Sequence, residues 1–242
     1  MWNKLNSFRR ICRVSIWRTL FFNFYMLPFN QAIKIPIILT RNVRFYSLSG
    51  NVILNGNVKP AMVRFGFFGE DNMHWSSQKT LLKIDGEITL TENIHFANAI
   101  IIRVEKDAIL KIESNVKISN GVKIVCYNDI LIKKNTRIAW ESQLIDTTFH
   151  FIKDINTDQV NTLNGKIQIG SNNWIGNRTS IMKGAILPDF CIVASGSMVN
   201  KNFSEQTYSI LAGSPAKLIK EGVYRVLDIE EKEIKQKLAN LK

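Results

Sequence analysis

An aliphatic residue recurs at every sixth position near the C-terminal end of the sequence. The stretch reads Ile169-Gly-Ser-Asn-Asn-Trp, Ile175-Gly-Asn-Arg-Thr-Ser, Ile181-Met-Lys-Gly-Ala-Ile, Leu187-Pro-Asp-Phe-Cys-Ile, Val193-Ala-Ser-Gly-Ser-Met and Val199. A period of six fits neither an amphipathic helix nor a simple alternating strand. It is typical of a parallel β-helix with three flat faces, in which about 18 residues make one coil and the aliphatic side chains point inward. We expect Gly170, Gly176 and the asparagines near them in the turns, where a positive φ is easy for glycine and tolerated by asparagine.

The same interval continues on the N-terminal side of this stretch. Three series of residues have this spacing of six. The first is Ile84, Leu90, Phe96 and Ile102, accompanied by a parallel series of Ile88, Ile94 and Ile100. The second is Ile112, Ile118 and Ile124, and the third is Ile132, Ile138 and Leu144. The eight-residue step from Ile124 to Ile132 predicts a bulge of two residues. His150 stands six positions after Leu144 and is therefore expected in the next inward position.

Two interruptions of the six-residue register indicate that the β-helix is not merely a spacer. His150 and Ile169 are 19 positions apart where six would suffice, so residues 151–163 are predicted to form an extruded loop, a common place for binding function in repeat proteins. After Val199 the register ends, and residues 222–242 are predicted to form an amphipathic helix that caps the stack. We divide the chain into a basic N-terminal segment (1–50), a β-helix domain (51–221) and this C-terminal helix. The period alone also fits a solenoid that only binds or spaces.

The composition is that of a folded, basic protein. Of the 242 residues, 45% are hydrophobic and 21% are charged, which excludes a disordered or collagen-like chain. The formal net charge of +12 indicates an anionic partner such as a phosphorylated cofactor, a nucleic acid or a lipid surface. The first acidic residue is Glu70. Residues 8–27 have the spacing of an amphipathic helix that ends near Pro28, either packed on the rest of the chain or in contact with anionic lipid headgroups.

The expected compartment is the cytoplasm, with peripheral contact at the inner face of the membrane as a further hypothesis. The cysteines are odd in number and widely spaced, at Cys12, Cys126 and Cys191, so neither a disulfide framework nor a zinc ribbon is indicated. Residues 19–33 carry no charge but are too few to span a bilayer, and no small-residue cleavage site follows the basic start. The three histidines lack the spacing of a zinc site, and no ladder of basic and aromatic residues indicates nucleic-acid binding.

Three segments carry a resemblance to a known family. They read Gly165-Lys-Ile-Gln-Ile-Gly-Ser-Asn-Asn-Trp-Ile-Gly-Asn177, Ala194-Ser-Gly-Ser-Met-Val-Asn-Lys201 and Leu211-Ala-Gly-Ser-Pro-Ala-Lys-Leu-Ile-Lys220. In order and spacing they resemble the hexapeptide-repeat acyltransferases, in the maltose, galactoside and polysaccharide O-acetyltransferase branch, over residues 84–221. The resemblance implies a left-handed parallel β-helix and a homotrimer with acetyl-CoA bound between neighbouring prisms. It also implies transfer of the acetyl group to a saccharide hydroxyl, in surface polysaccharide biosynthesis.

The resemblance further implies individual site residues. His150 matches the family's catalytic base, and a histidine can take a proton from a sugar hydroxyl near neutral pH. Asp146 is expected to orient the imidazole, with Glu141 as the rival carboxylate. The implied acetyl-CoA contacts include lysines suited to the phosphates of CoA; they are Trp174, Asn177, Ser195, Asn200, Lys201, Lys217 and Lys220.

Some positions depart from the family pattern. Asn200 stands for the usual Thr and Asn202 for the usual Asp, while Pro188 and Ala194 replace common glycines. These differences blur the predicted contacts but leave the donor site in place. Neither of the two later cysteines has the setting of a nucleophile, so we expect direct transfer in a ternary complex, without a metal. The alternative interpretation is a non-catalytic solenoid scaffold or a protein that binds anionic lipid surfaces.

Overall fold

Residues 13–67 and 78–240 are described in the computed structural model of the chain, and within them short strands predominate. The helices are α1 (Ile16–Met26), α2 (Phe29–Ala32) and α3 (Asp228–Ala239). The strands are β1 (Ile37–Leu39), β2 (Val43–Ser47), β3 (Asn51–Leu54), β4 (Val63–Phe67), β5 (Thr80–Ile84), β6 (Glu87–Leu90), β7 (Ile94–Ala97), β8 (Ile101–Val104), β9 (Ile109–Ile112), β10 (Lys117–Ile118), β11 (Lys123–Cys126), β12 (Asp129–Ile132), β13 (Arg137–Ile138), β14 (Gln143–Ile145), β15 (Ile167–Ile169), β16 (Trp174–Ile175), β17 (Ser180–Met182), β18 (Ile186–Leu187), β19 (Cys191–Val193), β20 (Met198–Val199), β21 (Ser209–Ala212) and β22 (Lys217–Glu221).

The strands form a three-faced prism in which each strand pairs with the strand three places along the chain. The nine-stranded face has the order β1-β4-β7-β10-β13-β16-β19-β21-β22, the seven-stranded face β2-β5-β8-β11-β14-β17-β20, and the six-stranded face β18-β15-β12-β9-β6-β3. The pairings between these strands are parallel except that of β21 with β22. This is the arrangement of a parallel β-helix, in which three strands make one coil and each coil stacks on the next.

The interior confirms the six-residue register. Ile118, Ile138, Ile175, Val193 and Leu211 pair successively across the coils of the nine-stranded face, and each side chain is buried. Paired positions are 18 residues apart in the last coils, but 20 or 22 apart earlier. The predicted bulge is confirmed, because the 20-residue coil from Ile112 to Ile132 holds two residues more than three hexapeptides.

Asparagines rather than glycines supply the left-handed backbone at one corner of the prism. Asn93, Asn115, Asn135 and Asn172 have φ values of 56°, 61°, 61° and 61°. Their side-chain amides hydrogen-bond from coil to coil at 2.7, 3.2 and 2.9 Å. Asparagine tolerates this conformation, and stacking lets each amide satisfy its neighbour.

The expectation for the two glycines was wrong. Gly170 and Gly176 are absent from the positive-φ positions of the described backbone. A Cβ on Gly176 would lie 2.5 Å from the Ser195 nitrogen, and one on Gly170 would lie 2.3 Å from the Pro188 carbonyl oxygen. These positions need glycine because the backbone of the next coil approaches too closely for a side chain.

Helix α1 covers the open edge of the first coil. The Asn23 side chain accepts a hydrogen bond from the Ile37 N–H (3.1 Å) and donates to the Ile37 carbonyl (2.7 Å), while the Thr19 hydroxyl accepts from the Leu39 N–H (3.1 Å). Both polar side chains are buried and replace the missing neighbour of β1. The predicted helix end near Pro28 is confirmed, since α1 ends at Met26, but the helix begins at Ile16 rather than at residue 8, and residues 8–12 lie outside the described part of the chain. The β-helix itself begins at Ile37, before the predicted boundary at residue 51.

The C-terminal helix is shorter and less buried than its sequence pattern predicted. It begins at Asp228, not at residue 222, and none of its side chains is buried. A Glu230 carboxylate accepts from the Leu227 N–H at 2.9 Å and so caps its first turn. No helix among the described residues is both long and apolar enough to cross a membrane.

Candidate active site

The extruded loop leaves the prism at the corner between the seven-stranded and six-stranded faces. Strand β14 ends at Ile145 and β15 begins at Ile167, and the coil that contains the loop separates Arg137 from its partner Trp174 by 37 positions. Antiparallel bridges join Thr147 to Asn164 and Lys153 to Val160, so the loop doubles back on itself. The loop predicted at 151–163 is therefore present and extends further on both sides.

His150 lies on the exposed part of this loop rather than in the wall of the prism. The prediction that it fills the inward position after Leu144 was wrong, because the chain leaves the coil at Ile145 and buried Ile169 takes that place in the six-stranded face. The Thr148 hydroxyl donates to the His150 carbonyl at 3.0 Å, which fixes the local backbone. An exposed imidazole at a loop base is accessible to a substrate hydroxyl.

Asp146 is buried beside this loop and faces the preceding coil. Its carboxylate accepts hydrogen bonds from the N–H groups of Tyr127 (2.7 Å) and Asn128 (2.8 Å). Burial raises the pKa of this carboxyl, and the two backbone donors oppose the rise. Among the described residues no hydrogen bond or ion pair joins Asp146 to His150. These contacts tie two coils together, so its part in orienting the imidazole stays a prediction.

The rival carboxylate lies at a different corner. Glu141 has a positive φ of 59° and pairs with Arg178 of the next coil at 2.6 Å. That corner joins the nine-stranded to the seven-stranded face, whereas the His150 loop starts where the seven-stranded face meets the six-stranded one. Glu141 and His150 therefore lie at the two different corners that flank the seven-stranded face, one before β14 and the other after it.

The predicted acetyl-CoA residues lie in the last coils but on different parts of the prism surface. Asn177 and Ser195 meet at the Glu141 corner, where the Ser195 hydroxyl donates to Asn177 Oδ1 at 2.6 Å. Asn200 and Lys201 are exposed at the corner that bears the His150 loop, and the Lys201 ammonium lies 5.0 Å from the centre of the Phe203 ring.

The remaining donor residues lie on the nine-stranded face. Lys217 and Lys220 are exposed on its final strand, β22, and Trp174 is 43% exposed on β16. The described part of a single chain does not gather these residues and His150 into one cleft. It places them along two corners and the face beside them.

A pocket of about 240 Å³ on the nine-stranded face is lined in part by Trp174. Its walls include Trp140 and the basic side chains of Lys117, Arg137 and Arg225. These four residues were not predicted from the sequence, since positions 20 and 37 residues apart become neighbours only through strand pairing.

The two described cysteines agree with direct transfer. Cys126 and Cys191 are buried, and burial raises the pKa of both thiols, that of Cys191 to about 11. The nearby Asp146 carboxylate raises the pKa of Cys126 further. A thiol that stays protonated at neutral pH is a poor nucleophile. Cys12 lies outside the described residues.

Comparison with known proteins gives sequence relatives and a shared fold. No protein-family model matches the chain. It is 28% identical over 222 residues to an uncharacterized 24.8 kDa protein in the cps region of Klebsiella pneumoniae, covering 91% of this chain and 95% of that protein. It is 25% identical over 150 residues to WbbJ of Escherichia coli (strain K12), provisionally named a lipopolysaccharide biosynthesis O-acetyl transferase, covering 58% of this chain and 74% of WbbJ.

The solved structure of the polySia-specific acetyltransferase NeuO has the same fold, with a TM-score of 0.52 and 18% identity over 83% of this chain and 99% of NeuO. The chain is thus similar in sequence to a protein provisionally named an O-acetyl transferase and shares its fold with a solved acetyltransferase. The predicted left-handed parallel β-helix is thereby confirmed.

Proposed function

We propose that the chain is an acetyl-CoA-dependent O-acetyltransferase that acetylates a saccharide hydroxyl in surface polysaccharide biosynthesis. One observation carries this proposal. Exposed His150 sits at the same corner of the prism as exposed Asn200 and Lys201, on an acetyltransferase fold. A base and a cationic donor site at one corner are what acyl transfer from a CoA thioester requires.

The proposed chemistry needs one proton acceptor and no acyl-enzyme. The His150 imidazole takes the proton of the acceptor hydroxyl while that oxygen bonds to the thioester carbonyl carbon. The carbon–sulfur bond then breaks, and the imidazolium returns its proton to the CoA thiolate that leaves. The buried, protonated thiols of Cys126 and Cys191 support this direct route over a covalent intermediate.

The donor site is proposed along the last coils. Lys201, Lys217 and Lys220 are exposed and present positive charge for the phosphates of CoA. The bonded pair of Asn177 and Ser195 presents polar groups near the turn at Gly196, whose N–H donates to the Asn177 carbonyl. These groups suit the amides of the pantetheine arm.

A homotrimer is proposed because the predicted residues lie on two corners and a face of one prism. Packing of identical prisms around a threefold axis brings one chain's His150 corner towards another chain's donor residues. Sedimentation equilibrium of the full chain tests this assembly, with a trimer expected. A strictly monomeric chain that is fully active would contradict a site between prisms.

The reaction is tested by incubating the chain with acetyl-CoA and a panel of acidic and neutral oligosaccharides, with mass spectrometry of the sugars and a thiol assay for CoA. His150→Ala should lower turnover about 100-fold or more. Gln159→Ala, another exposed residue of the same loop, is the matched control and should leave turnover unchanged. Equal turnover in both variants would remove His150 from the mechanism. Lack of acetyl-CoA binding would favour the scaffold interpretation.

A second proposal concerns the exposed apolar surface of α1 and α2, which we name the aromatic surface. Trp17 is 84% exposed and Phe29 73% exposed, and the other exposed apolar side chains there are Ile16, Leu20, Phe21, Phe24, Tyr25 and Ile33. Arg18 and Arg41 lie beside them, and the Arg18 guanidinium donates a hydrogen bond to the Arg41 carbonyl at 3.1 Å. Aromatic side chains flanked by arginines suit the headgroup region of an anionic membrane. We therefore propose peripheral contact with the cytoplasmic face of the membrane.

Vesicle co-sedimentation tests whether the aromatic surface binds anionic membranes. The chain should bind vesicles that contain phosphatidylserine, release them at high salt, and ignore phosphatidylcholine vesicles. Trp17→Ser should weaken binding, whereas Ile155→Ser, which alters an exposed apolar side chain on the extruded loop, should not. Absence of salt-sensitive binding would refute the proposal.

A further inference from the structure

The residue that precedes His150 has an unfavourable backbone conformation. Phe149 has a φ of 60°, in the left-handed region that a bulky side chain rarely adopts. Such a conformation costs free energy and persists only where the surrounding contacts enforce it. The Phe149 side chain is 48% exposed, so burial in the core of the prism does not enforce it. The enforcing contacts must lie at the base of the extruded loop.

Some of these contacts are internal to the loop. The Phe149 N–H donates to the Thr147 hydroxyl oxygen at 3.1 Å. The Thr148 N–H donates to the Leu163 carbonyl at 3.0 Å, which ties the outgoing arm of the loop to the returning arm. These bonds define the turn that carries His150. They do not attach that turn to the prism.

Tyr127 of the preceding coil makes this attachment. Its ring centre lies 5.5 Å from that of Phe149, with the two rings nearly perpendicular at 86°. Its N–H donates to the Asp146 carboxylate at 2.7 Å, and its carbonyl accepts from the Asn164 side chain at 3.4 Å. Asp146 belongs to the outgoing arm of the loop and Asn164 to the returning arm. One residue therefore contacts both arms and the neighbour of His150.

The Tyr127 ring is in turn held by the coil before it. The guanidinium carbon of Arg103 lies 5.2 Å from the ring centre, within the range of a cation–π contact. Arg103 Nε bonds the Glu105 carboxylate, and Lys83 Nζ lies 2.5 Å from the same carboxylate oxygen. The Tyr127 hydroxyl makes no hydrogen bond within the described part of the chain. The ring and the backbone of Tyr127 thus carry its contacts, and the hydroxyl does not.

We propose that Tyr127 is a positioning residue for His150. Its ring holds Phe149 in the left-handed conformation and thereby fixes the direction in which the adjoining His150 side chain leaves the loop. This inference rests on the proposed function, in which His150 is the general base. A base must lie within hydrogen-bond reach of the hydroxyl that it deprotonates, so a small displacement of its backbone lowers the rate strongly.

The first test compares Tyr127→Ala with Tyr127→Phe. Tyr127→Ala should lower kcat for saccharide acetylation about tenfold or more and leave the Kd for acetyl-CoA unchanged. Tyr127→Phe keeps the ring and should keep the wild-type kcat. NMR of chains with 13C-labelled histidine follows the imidazole directly, with the His150 signal identified by its loss in His150→Ala. That signal should shift or broaden in Tyr127→Ala and match the wild type in Tyr127→Phe.

Phe149→Gly separates positioning from stability. Glycine adopts a φ of 60° without strain, so this variant folds and removes only the ring that Tyr127 contacts. A merely structural role for the aromatic pair predicts wild-type turnover, whereas positioning predicts a fall in kcat and a changed His150 signal. Phe149→Gly therefore also decides the matter if Tyr127→Ala does not fold.

The matched control is Tyr224→Ala. The ring of Tyr224 lies 5.9 Å from that of Phe190 at 88°, and Phe190 also has a positive φ, of 57°. This pair lies at the corner between the six-stranded and nine-stranded faces, away from the loop. Its loss should leave kcat and the His150 signal as in the wild type.

The outcomes separate this inference from the proposed function. A His150 signal that is unchanged in Phe149→Gly would overturn the positioning role, even if turnover falls. Wild-type kcat in Tyr127→Ala would overturn it as well. A changed His150 signal in Tyr127→Ala and Phe149→Gly, in a chain that acetylates no saccharide, would support the placement of His150 by Tyr127 and count against the proposed reaction.

Discussion

The Ser195 hydroxyl donates a 2.6 Å hydrogen bond to the Asn177 side chain across two successive coils. Both residues were expected to contact acetyl-CoA, and the coil length of 18 residues stacks them at one corner. The contact depends on Gly176, the residue before Asn177, because the next coil leaves no room for a side chain there. The local shape of the proposed donor site is thus set by backbone packing.

Gly176→Ala should destabilise the fold. Its Cβ would lie 2.5 Å from the Ser195 nitrogen and 2.8 Å from the Val193 carbonyl oxygen, so the two coils must move apart. We expect a clear fall in thermal unfolding temperature and weaker acetyl-CoA binding. Ser195→Ala removes only the exposed hydrogen bond and should cost about 1 kcal/mol or less. A Gly176→Ala variant as stable as the wild type would show that the coils can separate freely.

Asn23→Leu should destabilise the first coil. The buried Asn23 side chain bonds both the N–H and the carbonyl of Ile37, and a leucine leaves these edge groups without partners. A buried polar group without a partner costs about 1–3 kcal/mol. Urea unfolding measures the loss, with Asn30→Ala on the exposed surface of α2 as the control. Equal stability of the two variants would mean that α1 does not cap the prism.

Asp146→Asn distinguishes a structural from an orienting carboxylate. The two backbone donors of Tyr127 and Asn128 require two acceptor oxygens, and an amide offers one. We expect a loss of about 1–3 kcal/mol in unfolding free energy, and full turnover per folded molecule would contradict the predicted orientation of His150 by Asp146. Unchanged stability combined with lost turnover and a shifted pH profile would instead support the predicted orientation of His150 by Asp146.

The corner at Asp85 should make stability depend on pH. The Ser49 hydroxyl donates to Asp85 Oδ1 at 2.6 Å, the Ser47 hydroxyl donates to the same oxygen, and these bonds hold the pKa of the carboxyl below its ordinary value. A lowered folded-state pKa adds stability above the unfolded-state pKa of about 3.9, and this stability is lost as the pH falls through the folded value.

The S47A/S49A double variant tests this corner. It should melt at a lower temperature than the wild type at neutral pH, and the difference should shrink as the pH falls below about 4. Thermal melts at a series of pH values measure it. A difference that stays constant over that range would show that the two serines do not act through the ionised carboxylate.

Much of the prism could be predicted because the geometry of its coils fixes the spacing of the buried aliphatic residues in the sequence. Ile175, Ile181, Leu187 and Val193 recur at six because each coil has three equal faces, and all are buried. The position of His150 was misjudged by the same rule, since a period cannot reveal where the chain leaves the coil. The basic pocket was missed for a related reason. Its residues become neighbours because strands of successive coils pair, and the paired positions are 20 and 37 residues apart in the sequence.

The polar anchoring of the N-terminal helix could not be foreseen either. An amphipathic pattern identifies the apolar positions of α1, but Thr19 and Asn23 act through hydrogen bonds to a strand that begins after Pro36. Such bonds become visible only once the helix is placed along the edge of β1. Likewise, the sequence marks Gly176 as special without showing that space, rather than backbone angle, is the reason.

Calorimetric titration with acetyl-CoA at near-physiological salt tests the central claim most directly, because it needs no knowledge of the acceptor. The account predicts saturable binding by the wild type, weaker binding by Lys217→Ala, and unchanged binding by Lys106→Ala, an exposed lysine far from the last coils. Absence of binding at millimolar acetyl-CoA would contradict the proposed transferase and leave the scaffold or lipid-surface interpretation.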